Sequence, residues 1–341
     1  MVALLATAFQ NANAAIRRVG YWGTPINNVD YTDLQSAHDA ANTNDTLLIY
    51  PGSWYATYSK KLVTIGYGYF VDVATLGTAA NANLQNITGA LSIQVTLAAG
   101  CSNSQFEGLD GLSINGDGTG TTFNNIIIRR CKISALGFYQ ANTYNNWQVL
   151  QCWINYIQWS ANAKATNLVV NNCNIGYMYA PDGSTGTPAN FSGQFNNDIF
   201  EATPGSNNFF NGNFIVKNSI FWWGKSNDAN CVYSYSIINN YYYGGTLPSN
   251  NGNQNLDYTT FNGLFAGQAG TTSTDGYYVL AAGSVAKNAG QGGTDCGIYG
   301  GTNPYKLSGI PRIPAIYKLT APSNTTSGNP YTITLSVRSN N

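Results

Sequence analysis

The chain has 341 residues with 15 Lys+Arg against 15 Asp+Glu. Only 9% of its residues are charged, where about 25% is usual, and the formal net charge is zero. That balance excludes a nucleic-acid binder working through counterion release. A single histidine, His38, excludes multi-histidine zinc sites, and 43% hydrophobic residues exclude a charge-repelled disordered chain.

In chain order, the apolar run Val2 to Phe9 followed by Ala12 to Ala15 reads as a signal peptide over residues 1–15, and with it export to the cell surface or beyond. No later stretch is apolar enough to predict a membrane span. Thr32 with Gln35 three residues on reads as a capping box opening a helix over residues 33–41, with Leu34, Ala37 and Ala41 on its apolar side and His38 beside them. Leu47 to Tyr50, followed by Pro51 and Gly52, is the first strand and turn. A helix there would cover the open edge of whatever sheet follows.

The middle of the chain repeats. Cys131, Cys152 and Cys173 are 21 residues apart, and each is preceded by Asn six residues earlier and followed by Ile two residues later. The frame continues with substitutions at Phe195 to Phe200, Val216 to Phe221 and Tyr233 to Ile238. A leucine-rich repeat lacks support, because its Leu/Asn consensus is absent. Short β-rich runs broken by Asn and Gly instead predict an all-β parallel solenoid with coils of 21–25 residues, on the order of eleven of them, stacked at about 4.8 Å. Equivalent positions then form vertical columns. Cys131, Cys152, Cys173, Asp198, Ser219 and Ser236 should share one column at a bend, where small side chains fit. Rung spacing also leaves one disulfide open among the three cysteines.

The stretch Asp33 to Tyr55, continued by Lys61 to Phe70, resembles the opening of secreted right-handed parallel β-helix proteins of the pectin-lyase-like superfamily. There a cap helix leads into coil one through an apolar strand and a Pro-Gly turn. Tyr278 to Gly290 and Asp295 to Gly301 are similar to the closing coil of bacterial surface β-helices, with Val285 where that pattern has Pro. The resemblance implies a right-handed parallel β-helix over residues 16–301. It leaves activity open, since the superfamily holds lyases, hydrolases, adhesins and tailspikes. In residues 302–341, Ile316 to Thr320 and Tyr331 to Val337 alternate like the two arms of a β-hairpin, similar to C-terminal extensions of Bacteroidota secreted proteins. Its expected roles are to cap the last coil or to add a strand to a neighbouring subunit.

Lyases of this superfamily use an Arg or Lys base with carboxylate-held calcium, and its hydrolases use paired carboxylates. The acids here are scattered, with no adjacent Asp pair and no Gly-His-Gly. The strongest catalytic candidates are Arg129, Arg130 and Lys132 with Glu107 or Asp110 one coil earlier. Alternation forbids both arginines from sharing one face, and a solvated cluster is the simplest reading. Trp153, Tyr156, Trp159, Tyr177, Tyr179, Trp222 and Trp223 are too many for a narrow solenoid core. They are the ligand-binding candidates, suited to neutral sugar or to lateral protein association. The expectation is therefore a secreted non-catalytic surface, adhesive or matrix β-helix that binds neutral polysaccharide or neighbouring subunits. It carries no metal or cofactor, calcium entering only if it is a lyase. A polysaccharide lyase or glycoside hydrolase is the first alternative and a phage or fibre spike the second.

Overall fold

The structure is a computed structural model and describes residues 14–21, 29–70, 91–118, 120–160, 162–179, 190–201, 212–222, 230–240, 245–269, 274–320 and 332–338. The proposed leader up to residue 13, Trp223 and the side chain of Tyr179 lie outside the described part. Among the described residues no helix is long and apolar enough to cross a membrane.

Two parallel sheets face each other along the molecule. Sheet A stacks ten rungs from Ile16–Val19 through Gln105–Glu107, Ile127–Arg129 and Gln148–Leu150 to Val232–Ser234, with Thr122–Asn124 and Thr143–Asn145 alongside. Sheet B stacks ten, from Gly52–Tyr58 through Lys132–Phe138 and Trp153–Trp159 to Gln254–Leu256. The 21-residue period is the rung repeat itself. In sheet A Ile127 lies beside Gln148 and Gln148 beside Val169, while in sheet B Lys132 lies beside Trp153 and Trp153 beside Asn174. The chain is a parallel β-helix, with ten rungs per sheet among the described residues where the sequence suggested about eleven coils.

Alternation supplies the core. Phe106, Ile128, Val149, Val170, Phe195 and Val216 point inward from sheet A and meet Ile133, Ile154, Ile175 and Phe200 from sheet B, all buried. Each such side chain contributes about 1.5–3 kcal/mol by leaving water, and does so only because the rungs above and below complete its surroundings.

The bends are built from polar columns. Arg130, Gln151, Asn172, Asn197, Asn218 and Tyr235 each adopt a left-handed backbone, with φ between 50° and 57°. That conformation favours Asn and turns the chain sharply from sheet A into sheet B. The next residue in every rung forms the column that the repeat predicts. The Cys131 amide donates to Cys152 Sγ (3.4 Å), Cys152 to Cys173 Sγ (3.3 Å), Cys173 to Asp198 Oδ1 (2.7 Å), Asp198 to Ser219 Oγ (3.1 Å) and Ser219 to Ser236 Oγ (3.2 Å). All six cysteines are free thiols, so the open disulfide is not made; sulfur serves as a small acceptor for a buried amide. A second column, exposed, links Asn103, Asn125, Asn146 and Asn167 by amide-to-amide bonds of 3.0–3.1 Å.

Both ends differ in detail from the sequence reading. The cap helix is Leu34–Ala40, and its N-cap is Asp33, whose carboxylate accepts from the Ser36 amide at 2.7 Å. Thr32 is displaced from that role because the charged Asp33 is the stronger acceptor, and Gln35 instead holds the Thr57 amide of the first sheet B strand. His38 is buried on the helix and accepts from the Ser59 amide at 3.0 Å, a packing role. At the other end the parallel rungs stop at Leu256, so residues 278–301 are not a closing coil. Residues 258–269 and 274–298 fold back over the outer face of sheet B, where Phe261, Phe265, Tyr278 and Ile298 cover Ile199, Ile220 and Ile237. The chain then descends the left-handed bend column as a strap. The Asn197 side-chain amide donates to Asp295 O, Asn172 to Ile298 O and Gly300 O, Gln151 to Pro304 O, and Arg130 to Ile310 O. The antiparallel hairpin Ala315–Thr320 with Thr334–Arg338 is present, but it follows Arg312, which is pinned to Glu107 on the fourth of ten rungs. It therefore does not cap the last coil.

Candidate functional site

Where the strap crosses sheet A it leaves a groove of about 670 Å³. Its floor is the outer face of three successive rungs, with Arg129, Gln148, Leu150, Val169 and Asn171; its far wall is Thr302, Asn303, Pro304, Lys306 and Arg312 of the strap. Arg130, Gln151 and Asn172 line the seam while gripping strap carbonyls. Four cations thus converge: Arg129 and Arg130 from the stack, Lys306 and Arg312 from the strap.

Among the described residues the carboxylate beside them is Glu107. It accepts from the Arg312 main-chain amide (2.7 Å) and from its guanidinium at 3.1 Å on each oxygen, and stands 3.9 Å from Arg129 Nη1. Arg312 takes both oxygens in a fork, so Glu107 anchors the strap and is not available as a general acid or base. Burial and the nearby Arg312 charge press the Arg129 pKa downward, and burial does the same to Arg130. Burial is the first cause for both; the like charge of Arg312 adds to it and Glu107 opposes it, so the groove holds neighbouring guanidiniums partly out of water, a setting that suits an anion.

The structure separates the sequence candidates. Arg129 faces out from its strand and Arg130 occupies the bend, as alternation required. Lys132 and Asp110 form their own pair (3.1 Å) over the ring of Phe70 and stay outside the groove lining; burial pushes the Asp110 carboxyl up. Asp110 is therefore not a second carboxylate facing Glu107 in the groove. Other described acids are likewise engaged: Asp198 in the bend column, Glu201 with Asn174, Asp45 with Arg17 and the Ala15 amide. Among the described residues no three His, Cys, Asp or Glu side chains gather to hold a metal. Lys306 and Arg312 escaped the sequence reading; no local signal marks them, since Arg312 meets Glu107 across 205 residues.

The aromatic candidates divide three ways. Trp159 is in the core, stacked on Phe138 at 5.0 Å with Phe191 and Phe214 around it, so it is not a ligand-binding side chain. A break in alternation at Asn155 and Tyr156 turns the end of that strand inward. Trp153 and Trp222 pack under the folded-back segment, against Tyr278 and against Phe261 and Phe265, and are structural as well. Tyr156 and Tyr177 remain on the surface of sheet B, stacked rung on rung at 5.4 Å.

A scan against protein-family models finds no match to the chain, and a comparison with curated proteins finds none either. Among solved structures the chain is similar to a pectin methylesterase from Aspergillus niger in penultimately deglycosylated form. The identity is 13%, over 82% of this chain and 94% of that one, with a TM-score of 0.23. The parallel β-helix rests on the chain's own rung pairing.

Proposed function

We propose that this chain is an extracellular surface or matrix β-helix that binds an acidic polysaccharide in the groove beneath its strap and does not cleave it. One observation carries the reading: four of the fifteen Lys+Arg residues of a charge-poor chain line one groove, where Glu107, the carboxylate that the described residues place beside them, is already committed to Arg312. A sugar carboxylate or sulfate fits guanidinium forks, and Gln148 and Asn171 on the groove floor offer amides to neutral hydroxyls. The sequence alone favoured neutral glycan because its charges look scattered; folding gathers them. Binding without cleavage is supported by the employment of Glu107, Asp110, Asp198 and Glu201 in structural contacts. Export rests on the leader-like run over residues 1–15; burial pushes Cys101 and Cys296 up to about 12, so their free thiols are compatible with an oxidising medium.

The test is calorimetry of the full chain with tetragalacturonate and with a sulfated tetrasaccharide at low and high salt. Binding should weaken with salt and fall about tenfold in an Arg129→Ala/Lys306→Ala variant. No unsaturated products or new reducing ends should accumulate. Absence of binding to both ligands, or turnover of either, overturns the proposal.

A further inference from the structure

A second surface lies on sheet B. From Gly52–Tyr58 to Asn174–Tyr179 its outward positions are Ser, Thr, Asn, Gln, Gly, Ala, Tyr and Trp; the exception is Lys132 at the strap-side edge, already paired with Asp110. In the middle, Gly137 faces outward between the buried Leu136 and Phe138. Tyr139 folds its ring back across that glycine, and a Cβ at position 137 would stand within 2.9 Å of three of the ring's atoms. The ring therefore lies against the backbone of the sheet, a position only glycine permits.

Tyr139 is held there from two sides. Its hydroxyl donates to Gln158 Oε1 one rung on. Its own main chain is clamped by the Tyr144 hydroxyl, which accepts from the Tyr139 amide and donates to the Tyr139 carbonyl, both at 3.2 Å. Tyr144 is itself buried against Phe138 and Trp147. Tyr139 keeps part of its surface in solvent. Asn115 and Gln158 flank Gly137 in the same column, one rung before and one rung after.

The geometry points to a stacking site for a pyranose ring of a neutral glycan, with Tyr139 as its platform. A fixed aromatic ring covers the apolar C–H face of a sugar without an ordering cost; Asn115, whose Nδ2 donates to Gly116 O, and Gln158, whose Oε1 accepts from Tyr139, give that platform a polar rim. Among the described residues the rungs flanking Gly137 bring Asn115 and Gln158, and no cation, beside the platform, so an acidic sugar gains nothing over a neutral one there. The site is on the other sheet from the basic groove and stands on its own observation.

The experiment measures binding of cellohexaose and xylohexaose to the full chain by calorimetry and saturation-transfer NMR. Tyr139→Ala should weaken binding of at least one of them about tenfold, and Tyr139→Phe by no more than about threefold, since the ring remains. Gly137→Ala keeps every ring but lifts Tyr139 off the sheet, and should weaken binding as Tyr139→Ala does, with circular dichroism confirming the intact fold. Arg129→Ala/Lys306→Ala should leave neutral binding unchanged, so that failure here and failure of the groove are read separately. If neither sugar binds the unaltered chain, or if Tyr139→Ala binds as tightly, the inference is overturned.

Discussion

The stack and the strap are two ways of holding a chain in place. Rungs of the stack are joined by backbone ladders, in a register that shifts locally at Ile133/Ala135 and Ala165/Leu168, and inward side chains such as Ile128, Val149 and Val170 meet their counterparts one rung away. The strap has almost no regular structure. It is held by side-chain amides and the Arg130 guanidinium of a single bend column reaching its carbonyls, across separations of 98–180 residues, and by Arg312 on Glu107. One region is stabilised by repetition of near-identical neighbours, the other by a few individual contacts. The groove exists only because both are present: the stack alone offers Arg129 and Arg130 on an open face, and the strap supplies the opposite wall.

The largest expected effect lies in the stack. Phe195→Ala removes a buried ring between Phe200 and Phe214 and should cost about 3–5 kcal/mol in urea unfolding, because adjacent rungs lose their support together. A loss below about 1 kcal/mol would show that stability does not reside in rung packing.

The strap should respond locally. Asn172→Ala deletes the donors to Ile298 and Gly300 and places Ala in a left-handed conformation, φ 55°. A loss of about 2 kcal/mol is expected. Proteolysis should become faster within residues 290–312 while the β-sheet circular dichroism persists. Simultaneous loss of both signals would make strap and stack one cooperative unit and remove the distinction between them.

The smallest effect tests one rung against its own column. Asp198 is fully buried where other rungs place Cys or Ser; Oδ1 accepts the Cys173 amide and Oδ2 has no hydrogen-bond partner. Burial pushes its carboxyl well above the usual range. A folded-state pKa above the unfolded one means the protonated form favours the native state. That contribution is complete below about pH 4 and is lost as pH rises through the folded value. Asp198→Asn keeps the acceptor and removes the charge, so it should stabilise the protein at pH 8 by about 1 kcal/mol and flatten the alkaline fall in melting temperature. An unchanged slope would place the titration elsewhere.

Legibility followed the same division. The column from Cys131 to Ser236 could be named residue by residue, although its members change from Cys to Asp to Ser and its steps from 21 residues to 25 and 17, because the flanking frame repeats around each of them. The position of Trp159 could not. A two-residue break at Asn155 and Tyr156 shifts the strand's alternation, and nothing in the local composition announces it. The cap was misplaced by one residue because Thr32 and Asp33 are both competent acceptors and geometry chose the charged one. The candidate cluster was half legible: Arg129, Arg130 and Glu107 are one rung apart in a repeating frame, whereas Lys306 and Arg312 come from a segment without any repeat.

The sequence by itself determined the architecture. Rung length, inward residues and bend columns are short-range properties, and a periodic chain states them many times over. Tertiary structure alone decided where the C-terminal segment goes and therefore where charge accumulates. Fifteen cations spread along 341 residues read as a neutral, charge-poor surface; a strap folded back along the stack brings four of them to one groove. Contacts of that range are made once, between segments that share no period, and no repeat in the chain encodes them.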